Sequence, residues 1–213
     1  ALEQYDKVIQ ANAADKDYAY YQKSVTLGLI GRREEAARTL STLIKPAHTS
    51  RYADDAAAIV VAIRRHASVS VGDRWLPAAG NWAVRERIVN LSYFYPYVAP
   101  WFERLDLAQG WLRANDVGYD LLTQALAVPG ILPSDFNRVD DEGRLLPLPE
   151  GHMLSAVFSY DSIRITWRLD LACRLKDARA CGLVASLVDR LADVHARDSG
   201  FFTRYAADGT ARN

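Results

Sequence analysis

Apolar residues recur at helical spacing in short runs, and each run ends at Gly, Pro or a polar break. That pattern restricts the chain to helices joined by abrupt turns. The clearest stripe is Leu183, Val184, Leu187, Val188, Leu191 and Val194, one face of a helix over about residues 178–196. Tyr20, Tyr21, Ser24, Leu27 and Leu29 share a face over residues 18–30, and Gly31 breaks the run. Ala36, Leu40, Leu43 and Ile44 resume the period until Pro46 ends it. Ala57, Val60, Val61 and Ile63 mark a further helix over residues 54–66. Helices are also expected at about 98–105, 107–127 and 161–175. The expected class is all-α, built from helical hairpins.

Composition narrows the functions available to such a chain. Its 213 residues allow one large domain or two small ones. Lys plus Arg equals Asp plus Glu at 26 each, which argues against a strongly basic nucleic-acid binder. No apolar run is long enough to span a membrane. The start, Ala1-Leu2-Glu3-Gln4-Tyr5, reads as the interior of a helix and lacks the pattern of a signal peptide. Cys173 and Cys181 stand eight apart in a helical stretch. On one straight helix that spacing is about 12 Å, too far for a disulfide, so two buried thiols are expected.

The two ends of the chain differ. Residues 1–50 hold four Lys and three Arg, whereas residues 51–213 hold one Lys and 18 Arg. All five Trp lie after residue 74. Punctuation at Val71-Gly72-Asp73 and Pro77-Ala78-Ala79-Gly80 offers a boundary, giving segments 1–70 and 71–213. In the first, Ala1, Tyr5, Val8 and Ile9 align with Ala36, Leu40, Leu43 and Ile44 at an offset of 35. With Tyr21-Gln22-Lys23-Ser24, Gly31-Arg32 and Glu35-Ala36, this resembles the tetratricopeptide repeat, a helix–turn–helix unit of about 34 residues. Ser50-Arg51-Tyr52-Ala53-Asp54-Asp55-Ala56 resembles the opening of a next repeat. Such helices suit a protein partner; a plain helical bundle has the same periodicity.

In the second segment, aromatic loops alternate with helices. Trp75 to Trp82, Asn90 to Tyr97 and the Pro/Gly-rich residues 128–157 read as loops, as does Gly200-Phe201-Phe202-Thr203. Flat rings in loops stack on sugars or bases; they equally fill gaps between helices. Asp161, in Phe158-Ser159-Tyr160-Asp161-Ser162-Ile163-Arg164, sits where a loop becomes a helix. There it is either a helix N-cap or a functional carboxylate, and Arg164 lies within reach one turn on.

Three motifs occur in order: Asn90-Leu91-Ser92-Tyr93-Phe94 with Pro96, Leu132-Pro133-Ser134-Asp135-Phe136, and the residues 158–165 around Asp161. Together they resemble the C-terminal half of glycoside hydrolase family 8, bacterial endoglucanases associated with cellulose synthesis. The resemblance runs from about Trp75 to Gly209. It implies part of an (α/α)6 toroid that hydrolyses β-1,4-glycosidic bonds with inversion, acting on a β-glucan-like polysaccharide, periplasmic or secreted. It also implies that Asp161 is the general base. Tyr160 and Arg164 would flank it, with Ser92, Tyr93, Asp135 and the loop residue Trp82 around the cleft. Inversion needs a second, protonated carboxyl roughly 6.5–9.5 Å away, across the sugar. The family's acid, a Glu in a Ser-Glu-Gly-Gln-Ser-Tyr type of motif, has no counterpart here. Glu34 and Glu35 read as solvated helix charges, and Glu86, Glu103, Glu142 and Glu150 remain as candidates. Weak or absent hydrolysis is therefore expected, and a helical interaction protein with a vestigial cleft is the other reading.

No other chemistry stands out. His48, His66, His152 and His195 lack metal-ligand spacing, and Asp140-Asp141-Glu142-Gly143 reads as a solvated turn. No metal or cofactor is expected.

Overall fold

The structure is a computed structural model that describes residues 2–11, 16–30, 32, 35–36, 38–39, 42, 53–106, 110–128, 130–154, 156–206 and 208–212. Contacts divide the chain into two compact units, Ala1–Ala56 and Ala57–Asn213. In the first, α1 (Leu2–Gln10) packs on α2 (Lys16–Leu29). Ala19, Ser24 and Leu27 form the buried face of α2, and Lys23 pairs with Asp6 across the two helices. The run proposed for residues 34–44 is described only in part: Ala1, Leu40, Leu43, Ile44 and residues 50–52 lie outside the described residues.

Helix α3 (Ala53–His66) leads into the second unit, followed by α4 (Ala99–Leu105), α5 (Trp111–Ala125), α6 (Ile163–Arg174) and α7 (Ala178–Asp198). The core lies between α5, α6 and α7. Leu121, Leu122, Ile165, Leu169 and Leu187 are buried there. The α7 stripe is narrower than its sequence suggests, because Val188 is exposed while Leu187, Leu191 and Val194 are buried. Buried Asp106 fastens the end of α3 to the start of α5. Its Oδ2 accepts from Arg64 Nε at 2.8 Å and from Trp111 Nε1 at 3.1 Å.

The fold is predominantly helical, as the all-α reading expects, with three small antiparallel sheets among the described residues. Strands β1 (Ser68–Val71) and β2 (Arg74–Pro77) form a hairpin with Val71 opposite Arg74. The Gly72-Asp73 pair that reads as boundary punctuation is the hairpin turn, with Gly72 at φ 57°. The alternation in Ser68-Val69-Ser70-Val71 is the strand signal, and both valines are buried. Strands β3 (Ile88–Val89), β4 (Asn137–Val139) and β5 (Leu145–Leu146) form a second sheet. Strands β6 (Val157–Phe158), β7 (Arg204–Ala206) and β8 (Ala211–Arg212) form a third. Residues 128–157, expected to be loop, thus supply β4 and β5.

The cysteines overturn the expectation of free thiols. Cys173 and Cys181 form a disulfide, with Cα atoms 4.6 Å apart. The helix does not run straight through both. Lys176 adopts φ 73°, and Asp177 N donates to Ala172 O at 3.1 Å, which closes α6 in a Schellman-type turn. Asp177 then caps α7, its Oδ1 accepting from Arg179 N at 3.1 Å. The chain reverses, and the last turn of α6 meets the first turn of α7. Asp177 Oδ2 also accepts from Tyr119 OH at 2.6 Å, tying the turn to α5. Burial, reinforced by that bond, pushes the Tyr119 phenol well above the ordinary tyrosine range.

Closing a loop this short constrains the unfolded chain by about 2–3 kcal/mol. A Cys173→Ser/Cys181→Ser double variant should lose that much in a urea titration, as should the reduced wild type. An unchanged midpoint would show that the bridge adds no stability.

Candidate functional site

The site is built on a turn held from beneath. Strand β6 delivers the chain to Ser159, and α6 begins at Ile163. Between them, four donors converge on one buried carboxylate. Asp135 Oδ1 accepts from Ser159 N at 3.0 Å, Ser162 N at 2.8 Å and Ser162 Oγ at 2.7 Å. Asp135 Oδ2 accepts from Ser159 Oγ. Asp135 N also donates to Val157 O at 2.7 Å. Such charge-assisted bonds, out of water, fix the turn tightly.

Tyr160 and Asp161 sit at the apex of that turn. Tyr160 is 81% exposed, and the Asp161 side chain retains 19% of its accessible surface. Asp161 is not the N-cap that its position allows. Ser162 occupies that place and its N–H goes to Asp135. The next amides, Ile163 N and Arg164 N, reach the carbonyls of Ser159 and Asp161.

The Asp161 carboxylate is instead clamped from two sides. Arg164 Nη2 forms an ion pair with its Oδ1. Asn90 Nδ2 donates to its Oδ2 at 3.2 Å. Asn90 is buried, and its own orientation is fixed, because its Oδ1 accepts from Ser92 N at 2.9 Å in the 3₁₀ turn 91–93. The amide nitrogen must then face Asp161. Two of roughly four lone-pair positions on the carboxylate are used. The remaining ones can accept from a water at the exposed edge.

Arg164 is itself held between rings. Its guanidinium carbon lies 5.6 Å from the Tyr93 ring centroid and 5.4 Å from that of Tyr160. One turn on, Arg168 repeats the arrangement at 3.6 Å from Tyr95 and 5.3 Å from Trp167. Arg168 is only 5% exposed, and its Nε and Nη1 hydrogen-bond to no described residue. Burial lowers its pKa from the arginine norm. The aromatic rings take the place of a counter-ion, and they lock α6 onto the 3₁₀ turns 91–93 and 96–98.

Of the residues singled out in the sequence, Asp161, Tyr160, Arg164 and Tyr93 come together. Asp135 lies beneath the turn, with both oxygens engaged. Ser92 is fully buried and meets the site only through its backbone N–H to Asn90. Trp82, 56% exposed, packs edge-on against Phe136 and has no described contact with Asp161. Of the other candidate acids, Glu150 is exposed, and the rest that are described have other partners. Glu86 Oε2 meets His152 Nε2 at 3.1 Å, Glu103 accepts from Leu112 N at 3.2 Å, and Glu142 pairs with Arg144. Glu35 pairs with Arg32 in the first unit, and Glu34 lies outside the described residues. Asn90 stands in the first motif without an assigned role, and Tyr95 and Arg168 carry none either. An Asn opening a tight turn and an Arg four residues after Arg164 are the signals that mark them.

Replacing Asp135 by Ala strands the Ser159 and Ser162 donors. Each buried unpaired donor costs about 1–3 kcal/mol, so a loss of about 3 kcal/mol or more is expected in chemical denaturation. A loss under about 1 kcal/mol would show that the turn does not depend on Asp135.

No family model matches the sequence, and no curated protein matches it. Solved structures do. A β-1,3-1,4-glucanase from Paenibacillus sp. X4 aligns with TM-score 0.64 and 19% identity, over 94% of this chain and 52% of that one. An endo-β-1,4-glucanase from Acetobacter xylinum aligns with TM-score 0.56 and 19% identity, over 94% of this chain and 56% of that one. A GH8 endo-β-1,4-glucanase from an Achatina fulica gut metagenomic library aligns with TM-score 0.54 and 17% identity, over 92% and 55%. The matched share reaches well beyond residues 75–209 and takes in most of the N-terminal helices. The chain spans about half the length of these solved relatives. At these identities the likeness establishes architecture: this chain has the helical fold of the glucanases, over about half their length.

Proposed function

We propose that this protein is a glycoside-hydrolase-like module that acts on a β-glucan-like polysaccharide, with Asp161 as the general base. The observation that carries this reading is the Asp161 carboxylate, clamped by Asn90 and Arg164 at an accessible edge beside the Tyr160 and Tyr93 rings. In hydrolysis with inversion, Asp161 takes a proton from water as the water oxygen bonds to the anomeric carbon. The glycosidic C–O bond breaks, and the leaving oxygen takes its proton from solvent water, because the family's acid motif has no counterpart here; hydrolysis is correspondingly slow. Tyr160 and Tyr93 provide faces for a sugar ring, with Arg164 holding the carboxylate between them. Asp135 positions the turn, and Ser92 positions Asn90. Trp82 extends the aromatic surface along the chain as a more distant sugar contact.

The Cys173–Cys181 bridge supports a periplasmic or secreted setting, because such bonds persist in oxidising compartments. We place the hydrolase-like part in residues 71–213 and a repeat-like helical segment in 1–70. Exposed Tyr18, Tyr21 and Ile30 suit that segment to a protein partner.

A second reading rests on the engagement of Glu86, Glu103 and Glu142 away from Asp161. In it, the cleft holds glycan without cutting it. Release of reducing ends from soluble β-1,4-glucan separates the two. Under the first reading the wild type releases them, and Asp161→Asn lowers the rate about 10²–10⁴-fold. Equal, background-level release by both proteins would rule out hydrolysis by this chain. Glucan-dependent quenching of aromatic fluorescence in those same proteins would then favour the binding reading.

A further inference from the structure

The segment between β5 and β6 carries a histidine that the proposed site does not use. His152 N donates to Pro149 O at 3.1 Å, closing a turn with Gly151 at φ 76°. On either side of that turn, Leu148 is buried and Leu154 packs against the core. The His152 side chain retains only 15% of its accessible surface.

Both ring nitrogens are engaged, in opposite senses. Nδ1 accepts from Leu154 N at 3.1 Å, so Nδ1 carries no proton. The neutral ring then has its hydrogen on Nε2, which donates to Glu86 Oε2 at 3.1 Å. Accepting from the N–H two residues on is what Asn and Asp side chains do in an Asx turn. Here a titratable ring takes that part.

A second proton can enter the ring only at Nδ1. An imidazolium donates from both nitrogens, so the Leu154 N–H then loses its acceptor. The charged ring meanwhile binds the Glu86 carboxylate more strongly. Histidine ordinarily changes charge between about pH 5 and 8. The other charged groups on these two segments and on β4 are Glu150, Arg85, Arg87 and Arg138. Arg87 is committed to Val139 O and Asp141, and Arg138 Nε donates to Glu86 O at 3.2 Å. Arginines only donate, so none of them can replace the lost acceptor.

We propose that His152 is a pH-sensitive latch on residues 152–154. It is closed on the Leu154 N–H while the ring is neutral, and it lets go when the ring is protonated, staying paired with Glu86. Release loosens the stretch that carries Met153, which is 94% exposed, and the anchor Leu154. The latch does not depend on hydrolysis.

The test is an NMR titration of the full chain from pH 8 to pH 5. Long-range ¹H–¹⁵N spectra report the protons on the His152 ring. Hydrogen exchange, corrected for its intrinsic pH dependence, reports the Leu154 amide. The ring should carry its proton on Nε2 at pH 8. Protection of the Leu154 amide should fall at least tenfold as the ring titrates. His152→Asn keeps an acceptor two residues before Leu154 but does not titrate, so protection should be equal at both pH values. A proton on Nδ1 at pH 8, or Leu154 protection unchanged through the His152 titration, would overturn the proposal. So would a folded His152→Asn protein that loses protection in acid as the wild type does.

Discussion

The buried carboxylate of Asp135 governs the geometry of the site. Four donors from Ser159 and Ser162 converge on it, and the turn between those serines has Tyr160 and Asp161 at its apex. A charge out of water is tolerated only when it is fully hydrogen-bonded. That condition fixes the position of both serines, and with them the start of α6. Because Asp135 takes the Ser162 N–H, Asp161 is free of capping duty. Its carboxylate can then meet Asn90 and Arg164, from two different parts of the chain.

The same economy appears on the other side of the clamp. Arg164 and Arg168, one turn apart on α6, are both packed between aromatic rings. Tyr93 and Tyr95 come from the 3₁₀ segment that also orients Asn90, Tyr160 from the apex of the turn and Trp167 from α6 itself. Helix, turns and carboxylate are therefore one mechanical unit. At the far end of α6, the Lys176 turn, the Asp177 cap and the disulfide fix the helix against α7. A helix tethered at both ends is a rigid support for a positioned carboxylate.

Much of this was legible in the sequence because helices announce themselves by period. The runs on α2, α3, α5, α6 and α7 carry their apolar faces at helical spacing. The strands were harder to see. At two to four residues, with partners as distant as Ile88 and Arg138, they offer little local pattern. The exception is Ser68-Val69-Ser70-Val71, whose alternation is a strand signal beside a Gly-Asp turn. The disulfide escapes any reading of Cys173 and Cys181 along one straight helix, because the chain reverses at Lys176-Asp177 between α6 and α7. Asp161 stands out through its motif, residues 158–165. Its partner Asn90 stands 71 residues away, and no local rule pairs them. Nor does local sequence reveal that Asp135, rather than Asp161, serves the helix start.

The account turns on Asp161 being presented to a sugar rather than spent on the fold. A crystal structure of this chain soaked with a β-1,4-linked gluco-oligosaccharide tests that most directly. The account predicts a sugar ring against Tyr160 or Tyr93, with a water on Asp161 and the Asn90 and Arg164 contacts intact. An oligosaccharide bound elsewhere, or an Asp161 carboxylate turned onto the first amides of α6, would contradict it.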